Sequence, residues 1–226
     1  MRWLAATAVA LLYVLHQDFW FWRDARPLVF GFLPIGLFYH AVFTIACSGA
    51  LWLLIILAIK LASRGPVLFV DRRIGVGERE FGMLKFRTMV AGAAEQQSRL
   101  ERDNEAEGAL FKIREDPRVT RVGRFLRRFS LDEIPQVANV LKGEMSLVGP
   151  RPLPLRDYQL LEDWHRRRYA VLPGMTGLWQ ISGRSGLSFD DLVRLDFTYI
   201  ENWSIWLDIS IIVKTIPAVI TRRGAY

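Results

Sequence analysis

The hydrophobic positions divide the chain into two textures. From Leu28 to Ile59 no residue carries a formal charge, and Trp3 to Leu15 forms a shorter apolar run behind Arg2. A straight helix over the longer run, at about 1.5 Å per residue, overreaches a hydrocarbon core of about 30 Å. The run must therefore tilt strongly, break, or fold as two elements, with Pro34-Ile35-Gly36 and Ser48-Gly49 as the candidate breaks. Trp3–Leu15 is too short to span alone. Phe19, Trp20, Phe21 and Trp22 bring it to spanning length with an aromatic belt, at the cost of including Gln17 and Asp18. No small-x-small cleavage pattern follows, which argues against a secretory signal. Arg23 and Arg26 precede the longer run, and Lys60, Arg64, Arg72 and Arg73 follow it. The positive-inside tendency then places both ends on the cytoplasmic face, through either a re-entrant helix or a tight two-helix hairpin.

After Ser63-Arg64-Gly65-Pro66 the pattern is that of a soluble domain. Val67–Val70 predicts a strand, Ile74–Glu80 a turn, and Phe81–Met89 a return strand with Leu84 and Phe86 on one face and Lys85 and Arg87 on the other. Ala91–Gly108 is polar and predicts a surface helix or mobile loop. Asp116-Pro117-Arg118 opens a helix with proline near its first position. On it Val119, Val122, Phe125, Leu126 and Phe129 share one arc, and Arg118, Arg121, Arg124, Arg127 and Arg128 the opposite one. Packing on a core accounts for the apolar arc; the basic arc suits anionic lipid or a substrate. Pro152–Tyr169 and Phe189–Tyr199 carry helical patterns. Trp203–Ile220 is apolar, with Asp208 and Lys214 on it, and reads as a buried or interface-lying helix rather than a span. Leu172–Arg184 is a glycine-punctuated loop, explained by close approach to a ligand or by plain turns. The expected class is α+β. A membrane-associated helical segment, re-entrant or hairpin, covers 1–61, and a mainly helical cytoplasmic domain with a small β-hairpin covers 62–226.

Composition narrows the chemistry. The net charge is +7, with much of the excess arginine lying between Arg64 and Arg168. That balance fits nucleic acid, anionic lipid or a phosphorylated substrate. A single cysteine, Cys47, excludes an intramolecular disulfide and a cysteine zinc site, and His16, His40 and His165 are too scattered to suggest a histidine cluster. Gly75, Gly77 and Gly82 do not have dinucleotide-binding spacing, and no Walker sequence occurs.

Asp132 and Glu133 lie side by side within Phe129–Pro152. They admit two readings. In one, Ser130-x-x-Glu133 is a capping box for a helix whose apolar face is Ile134, Val137, Ala138 and Leu141, and Asp132 is an anion in the first turn. In the other, the same helix start receives phosphate, and the acids hold a divalent metal and supply a nucleophile. Arg114, Arg118, Arg121, Arg124, Arg127 and Arg128 upstream and Arg151 downstream favour a polyanionic ligand.

From about Thr44 onward the chain resembles the bacterial sugar transferases that are monotopic polyprenyl-phosphate glycosyl-1-phosphate transferases. The resemblance rests on Lys85-Phe86-Arg87-Thr88-Met89, Ser130–Gln136, Leu141–Pro152 and Pro173–Arg184, in that order and spacing. It implies transfer of a sugar-1-phosphate from a UDP-sugar to a polyprenyl phosphate such as undecaprenyl phosphate, a first membrane step of exopolysaccharide or other surface-glycan synthesis. Asp132 is then the nucleophile, forming an aspartyl sugar-phosphate and releasing UMP, and Glu133 the Mg²⁺ ligand. Lys85, Arg87, Arg114, Arg151, Gln180 and Arg184 become the candidates for substrate contacts. The implied location is the cytoplasmic face of a bacterial inner membrane, with membrane lipid and no nucleic acid as partner. The N-terminal part departs from the family: Ser48-Gly49 stands where members carry a serine-proline pair, and the charged residues that usually precede the re-entrant helix are missing from Leu28–Cys47. The competing function is a non-enzymatic membrane-anchored module whose arginines bind anionic lipid or nucleic acid. It leaves the acid pair unexplained, because bare carboxylates repel phosphate.

Overall fold

The structure, a computed structural model, describes residues 2–17, 27–93, 95–96, 100, 113, 115–183 and 188–221. The chain forms two units, Met1–Leu57 and Ala58–Tyr226. The division falls inside a helix.

In the first unit, α1 (Arg2–His16) and α2 (Ile35–Ala62, which continues into the second unit) flank two short antiparallel strands, β1 (Leu28–Val29) and β2 (Leu33–Pro34). The Tyr39 hydroxyl donates to the Leu15 carbonyl, and the His16 ring lies 4.9 Å from His40 and 5.6 Å from Phe43. The long apolar run breaks at Pro34, where a turn through Phe30 and Gly31, both at positive φ, delivers the chain to α2. It does not fold as two helices, and helix continues through Ser48-Gly49. Glycine bends a helix without removing a backbone donor, whereas proline removes one. At about 1.5 Å per residue, the 28 residues of α2 extend about 42 Å. It is the one described helix long and apolar enough to cross a membrane. Phe19–Trp22, Arg23 and Arg26 lie outside the described residues.

The second unit opens with the expected hairpin. β3 (Leu68–Ile74) pairs with β4 (Glu80–Phe86) from Leu68↔Phe86 to Ile74↔Glu80, and the turn between them uses Gly77 and Glu78 at positive φ. This register puts Phe69, Asp71, Arg73, Phe81, Met83 and Lys85 on one face. Most of 91–108 lies outside the described residues.

The next helix starts later than its proline suggests. Asp116 turns back on its neighbour, accepting from the Arg118 backbone at 2.9 Å and from its guanidinium at 2.6 Å. Thr120 then caps α3 (Arg121–Arg128), its hydroxyl accepting from Gly123 N at 2.9 Å. The two predicted arcs are thereby split. Leu126 is buried but Phe125 is exposed, and Arg118 is buried while Arg121, Arg124 and Arg128 reach solvent. Gly123 meets the Thr88 backbone so closely that any Cβ would run into the Thr88 carbonyl.

A 3-10 helix (Leu131–Gln136) leads into α4 (Val137–Leu141), and the capping box does not form. Ser130 has φ 54°, in the left-handed region, and its side chain makes no capping bond. The buried face is also the opposite of the predicted one. Leu141 is 85% exposed, whereas Gln136 and Asn139 are 2% and 0% exposed. Asn139 accepts from Leu84 N (2.9 Å) and donates to the Gly82 carbonyl (2.8 Å) and Glu144 (2.7 Å), so a buried amide ties α4 to β4.

β5 (Ser146–Val148) pairs in parallel with β6 (Gly174–Thr176). The predicted glycine loop is thus a strand followed by a helix, α6 (Leu178–Ser182). Its glycines serve backbone packing: a Cβ on Gly149 or Gly174 would meet the other residue's backbone. Between β5 and β6 come α5 (Leu155–Tyr158) and a 3-10 helix (Asp163–Ala170). α7 (Phe189–Glu201) and α8 (Ile205–Thr221) follow, the latter with Trp206, Ile209, Val213 and Ile216 exposed and Ile211 buried. The main core of this unit joins Ile74, Leu153, Leu161, Tyr169, Leu192 and Val193.

Candidate active site

The site is built where the 3-10 helix of Leu131–Gln136 packs against β4. The tight turn puts Asp132 and Glu133 in its first three residues, and Asn139 fixes that segment's continuation to the strand carrying Lys85. Glu133 Oε1 accepts from Arg151 Nη2 at 2.7 Å. The Arg151 guanidinium lies 5.7 Å from the ring centre of Trp179 on α6, a cation–π contact that helps to fix its plane. Lys85 donates to Asp71 Oδ2 at 3.3 Å, and the same oxygen accepts from Arg73 Nε at 2.8 Å and Nη2 at 2.5 Å.

Electrostatics follow from this crowding. Burial, then the like charge of Glu133, pushes the Asp132 carboxyl up to about 6, while Lys85, Arg127 and Arg151 pull in the opposite direction. Burial and the Arg73 charge push Lys85 down to about 8, with Asp71 and Glu133 resisting. Arg151 is held more firmly charged than an ordinary arginine, chiefly by Glu133. Burial disfavours the charge on Asp71, yet Arg73 and Lys85 outweigh it and its carboxyl titrates below the ordinary range. A carboxylate pair among cations, with the proton affinity of Asp132 raised, is poised for a ligand that brings both negative charge and a counter-ion.

Asp132, Glu133, Lys85 and Arg151 are thus brought together. Arg87 is not shown joining them: its Nη2 donates at 2.8 Å to the carbonyl of Ser63, just past the end of α2, where an arginine suits the helix's negative pole. Gln180 sits beside Trp179 on α6, with its Nε2 3.4 Å from the Met175 carbonyl. Arg114 and Arg184 lie outside the described residues. Two charged members of the cluster, Asp71 and Arg73, are not read as site residues from the sequence, where Arg73 figures only in the basic flank of the apolar run. Strand alternation puts them on one face, but only the register brings that face to Lys85. Arg127, read in sequence as part of a basic surface, instead turns inward, donating from Nε to the Thr88 hydroxyl at 2.9 Å with its charge felt at Asp132.

The donor set fits a hard divalent cation. The Glu133 charge raises the proton affinity of Asp132, and Mg²⁺ is commonly held by one or two carboxylates together with substrate phosphates. Among the described residues no cluster of three or more histidine, cysteine or acidic ligands occurs. An open groove of about 410 Å³ lies elsewhere in the unit, lined by Ser146, Val148, Leu172, Tyr199 and Trp203 among others, and contains neither acid.

A family model described as bacterial sugar transferase matches residues 36–222, reaching upstream of Thr44, where the motif resemblance begins. The galactosyl transferase CpsE of Streptococcus agalactiae is 46% identical over 162 residues, 71% of this chain and 36% of that protein. The exopolysaccharide production protein ExoY of Rhizobium meliloti is 44% identical over 180 residues, 78% of this chain and 80% of that protein. The undecaprenyl-phosphate glucose phosphotransferase of Komagataeibacter xylinus is 45% identical over 185 residues, 76% of this chain and 33% of that protein. The chain therefore spans about a third of the length of CpsE and of the glucose phosphotransferase, and about four fifths of ExoY.

Proposed function

The chain belongs to the bacterial sugar transferase family, and from that premise we propose that it transfers a sugar-1-phosphate from a UDP-sugar to a polyprenyl phosphate at the cytoplasmic face of a bacterial inner membrane. The observation that carries this reading is the partly buried Asp132–Glu133 pair, with Asp132 pushed up to about 6 and faced by Lys85, Arg127 and Arg151.

In the first half-reaction an Asp132 carboxylate oxygen attacks the phosphorus that bears the sugar. The bond from that phosphorus to the bridging oxygen breaks, its electron pair leaves with UMP, and an aspartyl sugar-phosphate remains. In the second, an oxygen of the polyprenyl phosphate attacks the same phosphorus and Asp132 departs as a free carboxylate. Desolvation raises the nucleophilicity of Asp132, and Lys85 and Arg151 offset the donor's negative charge as it approaches. Glu133, orientated by Arg151, is the residue that would hold Mg²⁺, with Asp132 beside it. The ion, when bound, would withdraw charge from the diphosphate and so assist departure of UMP.

The names of the relatives point to galactose and glucose as the first sugars to test, and ExoY points to exopolysaccharide synthesis. The apolar length of α2 and the exposed apolar side of α8 support a lipid-borne acceptor. The test is UMP release by membrane fractions supplied with UDP-galactose or UDP-glucose, with and without polyprenyl phosphate and Mg²⁺. Release that requires both ion and donor, and ³²P retained on the wild-type protein but not on Asp132→Asn from β-labelled donor, is expected. Full turnover by Asp132→Asn would overturn the assignment.

A further inference from the structure

Asp71 is a partly buried carboxylate that the reaction above does not use. One of its oxygens, Oδ2, accepts from both Arg73 and Lys85. The β3–β4 register explains the meeting. Asp71 and Arg73 alternate onto one face of β3, and Lys85, opposite Phe69, stands diagonally across from Asp71 on that face. Arg73 carries the contact further: its Nη1 donates at 3.0 Å to the Pro152 carbonyl. The neighbouring carbonyl, that of Arg151 itself, accepts at 2.8 Å from Arg168, which in turn is paired with Asp196 at 2.5 Å. Two arginines, each neutralised by its own aspartate, thus grip successive carbonyls of the segment that presents Arg151.

We propose that Asp71 is a positioning residue for the transfer reaction, holding Lys85 directly and the Arg151 turn through Arg73, so that both cations face the donor's diphosphate. This rests on the functional reading given above. Two cations on one hairpin face repel, and without an anion between them Lys85 and Arg73 would each seek solvent. Asp71 holds both at hydrogen-bond distance, and a hydrogen bond to a charged group is the stronger kind. Asp71 also supports the charge on Lys85 against burial and the nearby arginines. The residue touches no reacting atom; it acts on the two groups that do.

The experiment uses the full chain in membrane fractions, with whichever of UDP-galactose and UDP-glucose supports UMP release by the wild type. Steady-state constants are measured for Asp71→Asn, Lys85→Gln and the double variant, each with a thermal melt. Asp71→Asn is expected to raise the donor KM roughly tenfold with a smaller loss in kcat, because phosphate contacts act in ground and transition states alike. The double variant is expected to be little worse than Lys85→Gln alone, since Asp71 works in part through that lysine. Asp71→Glu, which keeps the charge, should recover part of the lost affinity. Should Asp71→Asn lack a cooperative melt, Asp71→Ser removes the charge with less bulk and is read in the same way. A wild-type donor KM in the uncharged variant, or losses that simply multiply in the double variant, overturns the proposal. If Lys85→Gln is impaired while Asp71→Asn is normal, the proposal alone fails; if Lys85→Gln also has a normal donor KM, the functional reading of Lys85 fails with it.

Discussion

Replacing the proposed nucleophile should stabilise the protein while silencing it. Asp132→Asn keeps the size and removes the charge. Raising this carboxyl from its ordinary 3.8 to about 6 means that the folded chain carries an anion it disfavours by up to ~3 kcal/mol. The sign follows from linkage. The folded pKa lies above the unfolded one, so Asp132 contributes most favourably at low pH, and that contribution is lost as pH rises through about 6. Asparagine resembles the protonated form at every pH. Its advantage should therefore be absent near pH 4 and complete above about pH 7. For a domain of this size, roughly 2–4 °C per kcal/mol sets an upper limit of ~12 °C. Lys85, Arg127 and Arg151 already lower that figure, so loss of their attraction makes no further deduction. The assay is a melting series in detergent with EDTA, from pH 4.5 to 8, on wild type and Asp132→Asn. A lower melting temperature for the variant at pH 8, or a difference that does not change with pH, would refute the reasoning. The first result would return Asp132 to the role of a helix-start anion.

The same carboxyl predicts an acid limb: kcat/KM for UMP release should fall below about pH 6 as Asp132 takes up a proton. Arg151→Lys keeps the charge but loses the planar fork that binds Glu133 and stacks near Trp179, so the donor KM should rise about tenfold in steady-state assays. Asn139→Ala strands the Leu84 amide and Gly82 carbonyl, the partners of a fully buried side chain, and should cost roughly 3 kcal/mol, read as a fall in melting temperature. Gly123→Ala forces the α3 backbone off Thr88 and should cost at least as much; a wild-type melt would contradict the close approach.

The hairpin and the acid pair are legible in the sequence because each depends on local signals: alternation about a turn, and two carboxylates between arginines. The rest depends on partners distant along the chain. α4 shows the difference most clearly. Apolar periodicity favours Val137 and Leu141 as its buried side, yet both are exposed, because Asn139 finds two backbone partners on β4 that no pattern within 131–141 announces. Arg87 is a substrate-contact candidate by the family resemblance, and its hydrogen bond to the Ser63 carbonyl past the end of α2 is not announced by the strand pattern. The glycines of 172–184 read as a ligand-approaching loop or plain turns because the real partner of Gly174 and Gly177, the backbone at Gly149, lies about 25 residues earlier. Asp71 and Arg73 are visible as charges but not as neighbours of Lys85 until the register is known.

The double grip on the Arg151 segment has a consequence for how the enzyme comes into being. The chain emerges from the ribosome N-terminus first, so the acid pair, Lys85 and Arg151 are all synthesised before the residues that set the arginine's turn. The Gly149 amide finds its acceptor only when Thr176 arrives, and the Arg151 carbonyl waits for Arg168, whose own charge waits for Asp196. A nascent chain that ends anywhere before α7 holds the chemical groups without their arrangement. The candidate site therefore cannot be assembled before Asp196 is synthesised, because its contacts close over long stretches of chain, and on the proposed function a half-made chain has no competent site with which to consume its donor.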